Sequence, residues 1–377
     1  MIRIEDKKNC CGCSACVQIC PKQCISLSED KEGFLYPQTD ASICIDCGLC
    51  EKVCPILHQD ESRQPLKVYA AKNKDEEIRR ISSSGGVFTL LAEKIIQKGG
   101  VVFGARFDDQ WEVEHDYTET REGLAPFRGS KYTQSRMGDN FKKAKQFLMQ
   151  GKPVLFTGTP CQIAGLKKYL RKDYEQLFTI DILCHGVPSP GVWRTYLKET
   201  TGHESIEQVN FRDKCTGWKN YSVSITYNSG SAYRTPYSQN MFMKGFLTDL
   251  YLRPSCYQCP AKAGKSGSDL TIADFWAISQ VHPELDDDKG FNLVLVNSEK
   301  GQSLYAGINA FSIETEYEKA KGRNGGFKES IPFPNQRKYF FQRYCKKKSI
   351  TTIIGKIQEP SFYQKMVYRI KRILKMI

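Results

Sequence analysis

Cysteine spacing constrains this chain more than any other feature. Cys10, Cys13, Cys16 and Cys20 form a C-x2-C-x2-C-x3-C run closed by Pro21, and the same run recurs as Cys44, Cys47, Cys50 and Cys54 before Pro55. Three thiolates on one tight loop can face three irons of a single cube, while the fourth comes from a segment that proline turns away. Thiolate is soft and electron-rich, which suits iron. In doubled runs of this spacing the fourth cysteine crosses to the other cube. The expectation is therefore two 4Fe–4S clusters, one on Cys10, Cys13, Cys16 and Cys54, the other on Cys44, Cys47, Cys50 and Cys20. Structural zinc favours paired C-x-x-C elements or added histidine, and neither run contains a histidine. A disulfide framework needs an oxidising compartment, which nothing in the sequence suggests. Cys11 and Cys24 fall outside the spacing and read as packing residues near the cubes.

With 377 residues and 16 cysteines the chain is too long for such a module alone. Residues 1–58 read as an α+β ferredoxin-like dicluster module with two short strand pairs and two short helices. Residues 59–66 are polar and read as a linker. Residues 67–345 read as an α/β domain, and 346–377 as a basic amphipathic tail. The start, MIRIEDKKNCC, lacks an apolar h-region, and no segment reaches the apolar length of a membrane span. A cytoplasmic protein is expected. The formal net charge is +13, but it counts cysteines as neutral, and ligated cubes bring negative charge. No basic stripe interleaved with aromatic residues is present, so nucleic acid is not expected as a partner.

Strands are expected at Val68–Lys72, Val101–Phe107, Trp111–Tyr117, Val154–Phe156, Leu177–Leu183, Tyr221–Tyr227, Ser231–Thr235, Leu270–Phe275 and Leu293–Val296. Helices are expected with Val87, Leu91 and Ile95 on one face, over Phe141–Met149, and after Pro160 with Ile163, Leu166 and Leu170. Asn228-Ser229-Gly230 is a hairpin signal. In the tail, Phe362, Met366, Ile370, Ile373, Leu374 and Ile377 recur at helical spacing among Lys365, Arg369, Arg372 and Lys375. Such a helix suits peripheral contact with an anionic membrane at its inner face, or docking on its own domain or a partner.

Four further cysteines carry chemistry. Cys161 opens a helix after a strand, Cys184 ends the next strand, and Cys256 and Cys259 form C-x-x-C. Strand C-termini and helix N-termini meet on one edge of an α/β sheet, where ligands bind. A third 4Fe–4S cluster there competes with a zinc site or with buried free cysteines and a Cys256/Cys259 redox pair. The run Ser82 to Gly86 before a helix could cradle a phosphate or simply cap the helix. Arg128 to Tyr132 sets a cation among small residues, or is a surface turn. His185, next to Cys184, is a candidate proton donor, and Asp274 a candidate cofactor contact. On its own residues His185 reads first as a structural histidine, and Asp274 could equally lie buried in a hydrogen-bond network.

Together these elements resemble the family of coenzyme F-420 hydrogenase/dehydrogenase beta subunits, from about Cys10 to Trp276. The matching elements are the doubled cysteine run, Ser83–Gly86, Gly129–Tyr132, Gly158–Gln162, Cys184–Gly186, Phe211–Lys214, and Cys256-x-x-Cys259 followed by Ala273-Asp274. The resemblance implies FAD in a non-Rossmann α/β domain beside iron–sulfur clusters. It favours a third cluster on Cys161, Cys184, Cys256 and Cys259. It implies FAD contacts at Ser83, Ser84, Gly85, Gly86, Lys131, Gly158, Thr159, Pro160 and Gln162, with Asp274 added. The expectation is an iron–sulfur flavoprotein oxidoreductase. It would move electrons between a ferredoxin-type one-electron carrier and a small organic substrate, with His185 as proton donor. Similar proteins accompany surface-polysaccharide genes. The alternative is a non-catalytic electron-transfer subunit of a larger redox complex.

Overall fold

The computed structural model describes residues 1–202 and 204–359, without the side chains of 321–325. The amphipathic helix expected over Ser361–Ile377 lies outside the described residues.

The two cysteine loops share one backbone device. Gly12 and Ser14 are left-handed in the first (φ 73° and 65°), and Asp46 and Gly48 in the second (φ 49° and 70°). These pairs occupy matched positions between the cysteines. Each left-handed residue reverses the local curl, so successive sulfurs stay on the inside of the loop. Short helices follow at Ala15–Ile19 and Leu49–Lys52. β1 (Ile25–Glu29) and β2 (Leu35–Thr39) pair antiparallel, with Leu27 opposite Pro37. Two strand pairs were expected, but among the described residues this module has one. The first residues are held instead by Thr39 Oγ1, which donates to the Ile2 carbonyl at 3.1 Å.

The segment read as a linker is tied down. Arg63 N donates to Ala263 O, Leu66 N to Val296 O, and Lys168 pairs with Asp60 at 2.5 Å. Beyond it lie β3 (Lys67–Asn73), β4 (Val101–Phe107), β5 (Val113–Thr118), β6 (Val154–Gly158) and β7 (Leu177–Ile182). Then follow β8 (Ile206–Asp213), β9 (Ser222–Tyr227), β10 (Ala232–Pro236), β11 (Leu270–Asp274), β12 (Asn292–Val296) and β13 (Ala310–Glu314). Eight of these form a mixed sheet in the order β13-β3-β12-β11-β7-β6-β4-β5. Its centre, β4-β6-β7-β11, is parallel. β8, β9 and β10 form a separate antiparallel sheet.

Both faces of the large sheet are covered, as its near-continuous apolar strands require. Val101, Phe103, Val154 and Phe156 point to one face, under the helices Asn140–Met149 and Pro160–Leu170. Their neighbours Val102 and Leu155 point to the other, under Val87–Gln97. The alternation is the two-residue repeat of the strand. A second core joins Phe34 and Tyr36 of the N-terminal module to Trp193, Phe211, Phe242 and Phe340. The helix Ile350–Gln358 buries Ile350, Ile353 and Ile354 in that core, so the packed domain continues past residue 345 into the segment read as tail. Among the described residues no helix is long and apolar enough to cross a membrane.

Candidate functional site

The folded chain sorts its cysteines into three sets. Cys16 lies within electrostatic reach of Cys10, Cys54 and Cys50, and Cys13 of Cys16 and Cys54. Cys54 therefore stands with the first run. Cys20 stands with Cys44, Cys47 and Cys50 around one cleft of about 350 Å³ counted to its open mouth. Cys24 shares that cleft, its sulfur 3.4 Å from that of Cys20, and Cys47 is solvent-exposed.

The third set gathers where β6 and β7 end side by side, Gly158 opposite Asp181. Cys161 sits in the first turn of Pro160–Leu170 and Cys184 two residues beyond β7. Cys256 lies in the one-turn helix Pro254–Gln258, and Cys259 caps it. Cys184 is within electrostatic reach of Cys256, Cys161 and Cys259. Val187 N points at Cys256 Sγ (3.4 Å), Thr159 Oγ1 lies 3.3 Å from Cys161 Sγ, and Lys262 Nζ donates to Cys184 O at 2.5 Å.

Burial pushes the thiols of Cys16 and Cys256 up to about 12 and that of Cys259 to about 11. Without metal these groups stay protonated at neutral pH, and ligation must displace the proton. Among the described residues no three Cys, His, Asp or Glu side chains close around a single-ion position. A cube spreads its ligands over four irons, farther apart than the ligands of one zinc. The all-sulfur sets of the N-terminal module fit cubes by donor chemistry, by the crossover of Cys54 and Cys20, and by the open cleft.

Cys11, read as a packing residue, sits between sets. It is buried and contacts both Cys13 and Cys161, raising the Cys161 thiol well above its ordinary range. The first and third sets are thus one side chain apart.

The residues implied as flavin contacts share the same sheet edge, but their polar groups are largely engaged within the protein. Ser83 Oγ accepts from Ser130 N (2.6 Å), and Ser84 Oγ donates to Phe291 O (2.6 Å). A Cβ on Gly85 would lie 2.6 Å from Ala71 O, and Gly86 (φ 79°) caps the helix, whose Val87 N is taken by Asn292 Oδ1. Lys131 Nζ donates to the carbonyls of Pro126, Arg128 and Gly129, and burial brings its amine down to about 7. Thr159 and Gln162 form a capping box around Pro160, with Thr159 N donating to Gln162 Oε1 at 2.9 Å, next to Gly158. Asp274 Oδ1 accepts from Arg212 Nη2 (3.3 Å) and Trp218 Nε1 (3.2 Å). This arrangement fits a self-satisfied loop cluster better than an open pyrophosphate cradle. One atom stands apart: Arg212 Nε is buried without an acceptor. His185 is half exposed, its Nε2 2.5 Å from Asp249 Oδ1 and its ring edge-on to Phe246.

Two further residues of the site, His115 and Arg253, stand outside every expected motif, and Arg212 stands inside one without a role assigned to it. Buried His115 bridges Thr157 O and Ser135 Oγ at the end of β6. Arg212 lies in the Phe211–Lys214 element, its guanidinium 4.0 Å from the Tyr221 ring centre. Arg253 is fully buried and bonds the first cysteine loop. Arg212 was marked only as part of the Phe211–Lys214 motif, and His115 and Arg253 carry no local pattern because their partners lie far along the chain.

The 4Fe–4S dicluster domain model matches residues 9–56. Models of the coenzyme F420 hydrogenase/dehydrogenase beta subunit match residues 68–141 (N-terminal part) and 151–321 (C-terminal part). An F(420)H(2) dehydrogenase subunit of Methanosarcina mazei is 25% identical over 189 residues, 46% of this chain and 53% of that protein. The chain thus matches about half the length of that relative. A 7Fe ferredoxin of Hydrogenibacillus schlegelii is 42% identical over 65 residues, 16% of this chain and 77% of that protein. A solved chain of the F420-reducing [NiFe] hydrogenase complex from Methanosarcina barkeri superposes with a TM-score of 0.46 at 16% identity, covering 78% of this chain and 92% of that one. With its N-terminal 4Fe–4S dicluster domain in front, the chain belongs to the family of coenzyme F420 hydrogenase/dehydrogenase beta subunits.

Proposed function

We propose that this chain is an iron–sulfur electron-transfer subunit that joins a one-electron carrier to a partner redox enzyme. The observation that carries the reading is the contiguity of the cysteine sets. Cys11 touches Cys13 on one side and Cys161 on the other, and Cys47, in the set with Cys20, Cys44 and Cys50, is exposed. Cubes bound there would take up and release single electrons. The protein's own residues hold the sets in series and leave Cys47 of the remaining set exposed to a carrier. The Methanosarcina mazei relative supports a partnered role, since by name it is one part of a larger dehydrogenase.

A flavin-bearing oxidoreductase, with His185 moving a proton and the Ser83–Gly86 and Asp274 edge holding the flavin, has one observation in its favour, the orphaned Arg212 Nε. Anaerobic purification with iron counting and flavin extraction separates the readings. A relay carries about twelve irons if all three sets are loaded and about eight if only the ferredoxin pair is, with no flavin in either case. It exchanges electrons with reduced ferredoxin but turns over no organic substrate alone. Stoichiometric flavin with turnover by the isolated chain would overturn the relay.

A further inference from the structure

Four arginines are buried among the described residues: Arg79, Arg212, Arg253 and Arg337. Three of them face carboxylates, Arg79 with Asp287, Arg212 with Asp274 and Arg337 with Glu32. Arg253, at 1% exposure, pairs with no carboxylate among the described residues. Its guanidinium donates to three neutral oxygens: Nε to Cys10 O (2.7 Å), Nη1 to Gln134 Oε1 (2.9 Å) and Nη2 to Leu35 O (2.9 Å). Its fourth acceptor is Cys10 Sγ, 3.4 Å from Nη2. An isolated buried cation is costly, and a thiolate is the negative group that this geometry offers.

The backbone of Arg253 belongs to the other side of the junction. Its N–H donates to Val187 O, and its carbonyl accepts from Cys256 N at 2.9 Å. One residue therefore joins the loop of Cys10 to the turn of Cys256. The loop leaves room for it: a Cβ on Gly12 would lie 2.8 Å from Nη1 and 2.9 Å from Cζ.

We infer that Arg253 is a positioning residue that raises the reduction potential of the cube held by Cys10, Cys13, Cys16 and Cys54, and fixes that cube's loop against the Cys256 turn. The inference rests on the reading that these cysteines hold a cluster. Reduction adds one electron, and so one negative charge, to the cube and its thiolates. A guanidinium with an N–H on a ligand sulfur favours that state. Charged hydrogen bonds of this kind correspond to about tenfold or more in an equilibrium constant.

The test is redox titration of anaerobic full-length protein with dithionite, followed by electron paramagnetic resonance. In Arg253→Met one cube should become harder to reduce by up to about tenfold, about 59 mV for one electron, because the bond is made in both states and strengthens with the added charge, while the other N-terminal cube keeps its potential. Arg253→Lys, which keeps the charge and loses the fork, should fall between. Parent potentials in a fully loaded Arg253→Met protein would overturn the inference. If that variant loses iron, pulsed resonance of native protein grown on 15N-guanidino-arginine decides. A nitrogen coupling on the reduced cube that disappears in Arg253→Lys supports the inference, and absence of any such coupling overturns it. Parent protein without N-terminal cluster iron would instead overturn the ligand reading beneath it.

Discussion

At the scale of single residues, burial is the main influence on His115, with the charge of Lys131 acting in the same direction and the bond to Thr157 against it. Its ring stacks on Phe156 and lies within hydrogen-bond reach of Thr157 O and Ser135 Oγ, and burial brings its pKa down to about 4. The folded ring stays neutral where the unfolded one, with a pKa near ~6.5, gains a proton. Between those values the unfolded state binds more protons, so stability rises with pH across that window and is lost on acidification through it. The difference amounts to about 3 kcal/mol. His115→Gln should be less stable than the parent at neutral pH, and the gap should close between about pH 6.5 and 4. Melting temperatures of both proteins across that range check this, and parallel curves would contradict it. Neither His115 nor Arg253 was legible beforehand. Arg253 meets Cys10 across 243 positions, and only the fold brings them together.

Elements were more legible than contacts. The apolar runs of β4, β6, β7, β11 and β12 and the face of Val87, Leu91 and Ile95 stood out because buried strands and amphipathic helices have short periods. β8 carries polar residues at most positions, and the edge strand β13 is only five residues long, so both escaped notice. The helix Pro190–Thr201 also escaped, although Ser189 caps it and Pro190 occupies its first turn. The second strand pair expected in the N-terminal module did not form. The close packing of the helix Pro160–Leu170 on the first cysteine loop was not readable at all. A Cβ on Gly165 would lie 2.8 Å from Cys13 Cβ and 2.9 Å from its sulfur. Glycine to alanine in a helix interior ordinarily adds up to about 1 kcal/mol. Here overpacking should dominate, costing about 1–3 kcal/mol. Gly165→Ala is expected to lower the melting temperature and to broaden the resonance of one N-terminal cube. A stabilised protein with unchanged spectra would refute the contact.

At the scale of the whole molecule, spacing and resemblance singled out twelve cysteines as expected ligands, and the fold brings them together in three groups. The flavin edge was readable as a set of motifs, but most of its polar groups turn out to cap helices and bind loops. If the third set holds its own cube, Cys161→Ala should lose about a third of the iron and keep the ferredoxin pair. Unchanged iron would remove Cys161 as a ligand.

The N-terminal module is also not a detachable cassette. Phe34 and Tyr36, on its hairpin, are fully buried in a core shared with the rest of the chain, and Arg337 grips Glu32 beside them. Cut free at the linker, a 1–58 fragment would carry two bare aromatic rings into water and invite aggregation. Half-chain dissection would then report on a sticky fragment, because the hairpin of the module is built to be covered by the rest of the chain.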